Sequence, residues 1–208
     1  RRVLGDDAPP ATTVFVGGGT PTLLGAAELV RLLDGIRSVF GLADGAEVTT
    51  EANPESIDAA ALAALRAGGY TRVSLGMQSA APHVLAVLER RHTPGRAVAA
   101  AREARAAGFE HVSLDLIYGT AGESDADWER SLDAALEAGP DHVSAYALTV
   151  EPGTRLAAQI RRGTVAAPDD DVLAARYAAA DRRLAGAGLD WYEISNWATG
   201  EPARCAHN

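Results

Sequence analysis

Strand-like and helix-like stretches alternate along the whole chain, and that alternation restricts the fold more than any other feature. The runs Thr13–Val16, Glu47–Glu51, Thr71–Leu75, His111–Ile117, His142–Leu148 and Asp190–Ile194 are short and rich in β-branched, apolar or aromatic residues, as strands are. Between them, apolar residues recur at helical period over Ala26–Phe40, Ser56–Ala67, Pro82–Leu88 with Gly95–Ala107, Ser124–Ala138, Arg155–Arg162 and Asp169–Ala185. Glycines stand where those helices should stop, at Gly68-Gly69, Gly108, Gly139 and Gly186-Ala-Gly188. Parallel strands need a crossover of about a dozen residues or more, and a helix is the usual one, so the pattern predicts an α/β fold with a parallel sheet. A repeat of about 30 to 35 residues fits a (β/α) barrel or part of one.

In such a fold functional groups collect at the carboxyl ends of the strands. Each predicted strand here ends in polar or conformationally special residues. The first runs into Gly17-Gly18-Gly19-Thr20-Pro21, the second into Glu51-Ala-Asn-Pro54, and the third into Gly76-Met-Gln78-Ser79. The fourth carries Asp115 in an otherwise apolar run, the fifth leads through Tyr146-Ala147 to Glu151-Pro-Gly153, and the last finishes Tyr192-Glu-Ile-Ser-Asn196. Three successive glycines let backbone N–H groups approach a small polar or anionic ligand without obstruction. Thr20 suits the cap of a following helix and Pro21 its first position. Singly, each feature has a plainer reading: a glycine cluster is usually a turn, and a strand-end carboxylate often caps the next helix. Their coincidence at five or six strand ends points to one site at the top of a barrel.

Composition narrows the function. The chain is 47% hydrophobic and 23% charged, as a globular domain is, and its formal charge of −9 argues against nucleic acid or an anionic membrane as partner. Every basic residue is arginine, which excludes a Schiff-base or phosphate-loop lysine. The single cysteine, Cys205, allows no disulfide framework within the chain. No apolar run approaches ~20 residues and no leader pattern opens the sequence, so a cytoplasmic location is expected. The ends, Arg1 and Asn208, read as those of a fragment, with residues 1–208 forming one domain of a longer protein.

Five motifs in order carry a family resemblance: Phe15-Val-Gly-Gly-Gly-Thr-Pro-Thr-Leu23, Glu51-Ala-Asn-Pro54, Arg72-Val-Ser-Leu-Gly-Met-Gln-Ser79, Leu88-Glu-Arg-Arg-His-Thr93 and Asp115-Leu-Ile-Tyr-Gly119. Together they resemble the radical S-adenosylmethionine enzymes related to oxygen-independent coproporphyrinogen III oxidase. Val143–Thr154, Tyr192–Ala198 and Cys205-Ala-His-Asn208 resemble the HemW-type heme chaperone branch more than the oxidase. The resemblance implies a partial, TIM-type (β/α)6 barrel, truncated at its N-terminal strand, with S-adenosylmethionine across the strand tops. On this basis Gly18, Gly19 and Thr20 suit the methionine end of the cofactor, Glu51 and Asp115 its ammonium or ribose hydroxyls, and Gln78 the ribose. Arg90 offers a planar fork to the methionine carboxylate, with Arg91 as its rival, and Ala147 lends backbone contacts to the adenine.

The resemblance further implies a [4Fe–4S] cluster in the intact protein, bound by a Cys-x-x-x-Cys-x-x-Cys motif that this chain does not contain. Cys205 alone does not replace it, and neither a catalytic nor a metal-ligating residue is assigned here. Heme or a porphyrin and a heme-acceptor protein are the expected partners, with membrane contact only through the acceptor and dimerisation as a further expectation. Cys205 and His207 are expected in a solvated loop, His92 beside Arg90, and the three tryptophans between helices and sheet. Thr120-Ala121 and Ala80-Ala81 depart from the family pattern at loop positions. Two other functions remain open: the oxidase itself, and an α/β-barrel enzyme holding a phosphorylated metabolite in the glycine loop.

Overall fold

The computed structural model describes residues 9–90 and 93–207. Five strands, β1 (Ala11–Val16), β2 (Leu42–Ala52), β3 (Arg72–Gln78), β4 (His111–Tyr118) and β5 (His142–Ala147), lie side by side and parallel in chain order. The crossovers are α1 (Ala26–Phe40), α2 (Ala59–Ala67), α3 (Pro82–Val87) with α4 (Arg96–Ala106), and α5 (Asp125–Glu137). After β5 come α6 (Arg155–Arg161), α7 (Asp170–Gly186), and a hairpin of β6 (Asp190–Glu193) and β7 (Asn196–Ala198). The result is a curled, mostly parallel half-barrel, the α/β architecture expected from the alternation.

Period-two patterning decides which face of the sheet meets which surroundings. Val48, Val73, Leu75, Val112, Leu114 and Val143 point outward and are buried with helix residues Leu29, Leu33, Leu62, Leu65, Trp128, Leu132 and Leu184. Leu29 and Leu33 stand one helical turn apart on α1 and are wholly buried, which contributes roughly 1.5–3 kcal/mol each. The residues between them on the strands are polar: Thr49 on β2, Arg72 and Ser74 on β3, Ser113 on β4 and Ser144 on β5, all buried in the concave wall. A closed barrel fills its interior with layers of branched apolar side chains. This interior is polar and open, so it is a cavity.

Local signals account for most helix starts. Asp58 accepts from Ala61 N–H, Thr154 from Ala157 N–H and Asp169 from Val172 N–H. Ser124 and Asp127 form a reciprocal capping box at the head of α5. Three expectations need correction. The helix expected from Ser56 begins at Ala59, because Pro54–Ser56 forms a separate tight turn before the Asp58 cap. Thr20 and Pro21 do stand at the cap and first position of the next helix, a short 3-10 helix over Pro21–Leu24, but the Thr20 side chain makes no capping bond: its hydroxyl donates to the Gly19 carbonyl, and α1 starts only after Gly25. The last strand is not a further parallel unit next to β5. The chain turns at Ile194-Ser195, and β7 runs antiparallel between β5 and β6, with Ala145 N–H donating to Ser195 C=O.

Trp128 and Trp197 do pack inside, each donating its indole N–H, to Arg176 C=O and to Asp181. Trp191, expected to do likewise, is 54% exposed on the edge strand β6.

Candidate active site at the strand tops

A cavity of about 490 Å³ occupies the concave side of the sheet. All eight residues singled out in the sequence line it: Gly18, Gly19, Thr20, Glu51, Gln78, Arg90, Asp115 and Ala147. Seven of them belong to β2, β3, β4 or β5 or directly follow β1, so parallel strand order brings these to one side, while Arg90 returns there after α3. Arg91 and His92 lie outside the described residues.

The three glycines have three different roles. A Cβ on Gly17 would run into the Phe15 ring and lie 3.2 Å from the Glu51 carboxylate carbon, so this position is glycine for close packing. Gly18 has φ +131°, a backbone shape other residues avoid, and its N–H donates to Glu51 Oε2 at 3.0 Å. Gly18 and Gly19 both face open space where a side chain would stand. Gly17 therefore sets the loop, and its two neighbours leave room for a ligand against bare backbone. Glu51 does two jobs, since it holds the loop with one oxygen and presents its carboxylate to the cavity.

β3 reaches the rim through a distortion. Its register with β4 slips between Gly76 and Gln78, and Gln78 adopts φ +65°. Such slips re-aim a side chain, and left-handed non-glycine residues cluster at functional sites. The Gln78 amide folds back over Gly76, where a Cβ would come within 2.7 Å of it. Arg90 follows a similar device: Glu89, at φ +55°, reverses the chain after α3, and Arg90 N–H closes the turn on Leu85 C=O. Among the described residues the Arg90 guanidinium has no carboxylate partner, and it lines the rim as a cation.

Asp115 lies lower in the wall. Ser74 donates to both of its oxygens, at 3.0 and 2.9 Å, and Ser144 bonds it from the other side. Burial raises its pKa, the two serine hydroxyls offset part of that, and the carboxyl settles at about 6. At neutral pH it is mainly an anion held by hydroxyls, with lone pairs left for further donors.

Sequence reasoning missed the floor of the cavity. Arg72, 1% exposed, pairs with Glu47 at 2.9 Å and donates to Arg204 C=O at 2.9 Å. Burial alone would raise the Glu47 carboxyl; Arg72 and the N–H of Ala206 outweigh it and hold Glu47 below its usual value. His142 bonds the Tyr192 hydroxyl through Nε2 at 2.8 Å, and its Nδ1 has no partner among the described residues. Burial lowers its pKa to about 4, so the ring is neutral. Cys205 is buried against Glu47 at 3.4 Å and lines the cavity, while His207 stacks on Phe15. The expectation of a solvated loop is thereby corrected for Cys205, whereas His207 is exposed as expected, with its ring against Phe15. The available signal was the polar residue at every second position: Arg72 and Ser74, then Ser113 and Asp115, then His142, Ser144 and Tyr146.

Glycine backbone, carboxylates, an amide and a guanidinium with no carboxylate partner among the described residues thus gather at the tops of five parallel strands, a set of donors and acceptors able to meet both charges of a zwitterion. The chain belongs to the radical SAM superfamily, whose family model matches residues 2–135. Among its relatives, it is similar to the heme chaperone HemW of Mycobacterium tuberculosis (strain ATCC 25618 / H37Rv), with 64% identity over 202 residues, covering 97% of this chain and 52% of that protein. The heme chaperone HemW of Escherichia coli (strain K12) is 37% identical over 197 residues, covering 94% of this chain and 50% of that one. The chain thus spans about half the length of the curated relatives it matches. Among solved structures, coproporphyrinogen III oxidase (HemN) from Escherichia coli superposes with a TM-score of 0.76 at 29% identity, over 90% of this chain and 43% of that one.

Proposed function

We propose that this chain is the S-adenosylmethionine-binding barrel of a heme chaperone, one domain of a longer protein. The observation that carries the reading is the convergence of all eight candidate residues on one cavity. Gly18, Gly19 and Thr20 hold the methionine end, with Glu51 on the ammonium and Arg90 on the carboxylate. Gln78 and Asp115 take the ribose hydroxyls, and the Ala147 backbone meets the adenine. The open space above Gly18 and Gly19 fits a ligand that a Cβ would exclude. The donor set matches a ligand bearing one cation, one anion and several hydroxyls. When bound beside a reduced cluster, this cofactor supplies one-electron chemistry. Residues of this chain bind and orient it, and Asp115, with a pKa of about 6, holds or releases a proton at the ribose end.

The [4Fe–4S] cluster does not fit the residues present. The chain has one cysteine, and among the described residues no three His, Cys, Asp or Glu side chains are grouped to hold a metal. Heme delivery is favoured over porphyrinogen oxidation because identity to proteins named heme chaperone reaches 64%, against 29% to the oxidase structure. None of the helices among the described residues is long and apolar enough to cross a membrane.

Two measurements on the full-length protein test the reading. Calorimetric titration with S-adenosylmethionine should saturate at one equivalent and be displaced by S-adenosylhomocysteine but not by a sugar phosphate. Anaerobic incubation with coproporphyrinogen III and reductant should give no protoporphyrinogen, while heme should pass to an apo-acceptor. Robust decarboxylation would favour the oxidase, and tight sugar-phosphate binding without a response to S-adenosylmethionine would overturn the cofactor assignment.

A further inference from the structure

We propose that the segment Arg204–His207 is a clasp that positions the glycine loop, acting through the ring of Phe15; the inference rests on the cavity being an S-adenosylmethionine seat. The segment is fixed at the cavity floor by three contacts of different kinds. Arg72 donates to Arg204 C=O, Glu47 accepts from Ala206 N–H at 3.2 Å, and Cys205 N–H donates to the Tyr192 hydroxyl at 3.1 Å. From that anchor the chain lays the His207 ring flat on Phe15, with centroids 4.7 Å apart and an interplanar angle of 12°. Phe15 in turn packs against Gly17, so closely that no Cβ fits between them, and Glu51 secures Gly18 from the other side.

Phe15 sits on β1, which among the described residues pairs only with β2 and forms one edge of the sheet. His207 covers one face of the Phe15 ring. Phe15 lines the cavity and His207 does not, so His207 acts through Phe15 rather than on the ligand. A loop that presents Gly18 and Gly19 and a segment seated on Phe15 are two ends of one packed stack. Ligand binding and seating of the segment then favour each other by the same factor, as linkage requires.

The test uses full-length protein and S-adenosylmethionine titrated by calorimetry. His207→Ala should weaken binding roughly three- to tenfold, the range of one aromatic stack, and His207→Phe should restore it. Phe15→Leu should weaken binding similarly, and adding His207→Ala to it should cost nothing more, a non-additivity that a generally destabilising residue would not show. Proton NMR should find the His207 ring resonances shifted upfield by the stack, and shifted back in Phe15→Leu. An unchanged affinity in His207→Ala, or additive losses in the double variant, would overturn the clasp alone. No binding by the unsubstituted protein would overturn the seat itself.

Discussion

Asp115→Asn should make the protein more stable and a poorer binder, with a pH dependence that identifies the cause. Burial lifts the Asp115 carboxyl from 3.8 to about 6, even with Ser74 and Ser144 donating to it. Each unit is worth ~1.4 kcal/mol, so ionised Asp115 costs the fold roughly 3 kcal/mol. The sign follows from linkage. Between the unfolded and folded values the unfolded chain has lost its proton and the folded chain keeps it. Stability therefore falls as pH rises from about 4 to about 6 and is level above that. An asparagine has no proton to lose, accepts from Ser74 through its carbonyl, and avoids the fall. Urea denaturation of both proteins across this range should show parity near pH 4 and an advantage of roughly 2–3 kcal/mol for the variant near pH 8. S-adenosylmethionine affinity should drop in the same variant, because one acceptor oxygen becomes a donor. A stability difference that ignores pH, or a variant less stable than its parent near pH 8, would refute the reasoning.

Three more outcomes follow from individual contacts. Gly17→Ala should destabilise by roughly 1–3 kcal/mol, because its Cβ meets Phe15, whereas Gly19→Ala should leave the melting curve within about 0.5 kcal/mol and abolish cofactor binding. Arg72→Met leaves Glu47 buried without its cation and frees the Arg204 carbonyl; chemical denaturation should show a loss of about 3–5 kcal/mol, partly recovered by adding Glu47→Leu. His142, held near pKa 4, should titrate there by NMR; stability should fall as pH drops from about 6.5 towards 4, and His142→Gln should lack that slope.

Much of the architecture was legible because binary patterning and crossover helices leave few alternatives. Strand order β1 to β5 and the convergence at the strand tops both follow from parallel topology, once the βα repeat is recognised. The β6–β7 hairpin was not legible. Tyr192-Glu-Ile-Ser-Asn196 has the composition of a strand end, and only tertiary pairing with β5 shows that the chain reverses at Ile194-Ser195. The start of β2 was hidden because Asp44-Gly45 breaks strand propensity, while the ladder to β1 extends down to Leu42 despite a slip in register. The cavity rim was found from special residues at strand ends. Its floor escaped because Arg72 and His142 sit at strand starts, where a polar residue is ordinary; only a barrel interior turns them inward. Thr20 followed the rule for a cap, yet its hydroxyl is taken by the adjoining carbonyl. That Cys205 and His207 return to the site could not be read locally, since the contacts with Glu47 and Phe15 span most of the chain.

The most direct test of the central claim is a crystal structure of the full-length protein with S-adenosylmethionine. The cofactor should lie on the concave side of the sheet, its methionine end against Gly18, Gly19 and Arg90 and its ribose between Gln78 and Asp115. Density for the cofactor outside this cavity, or inside it without contact to the glycine loop or Asp115, would contradict the account.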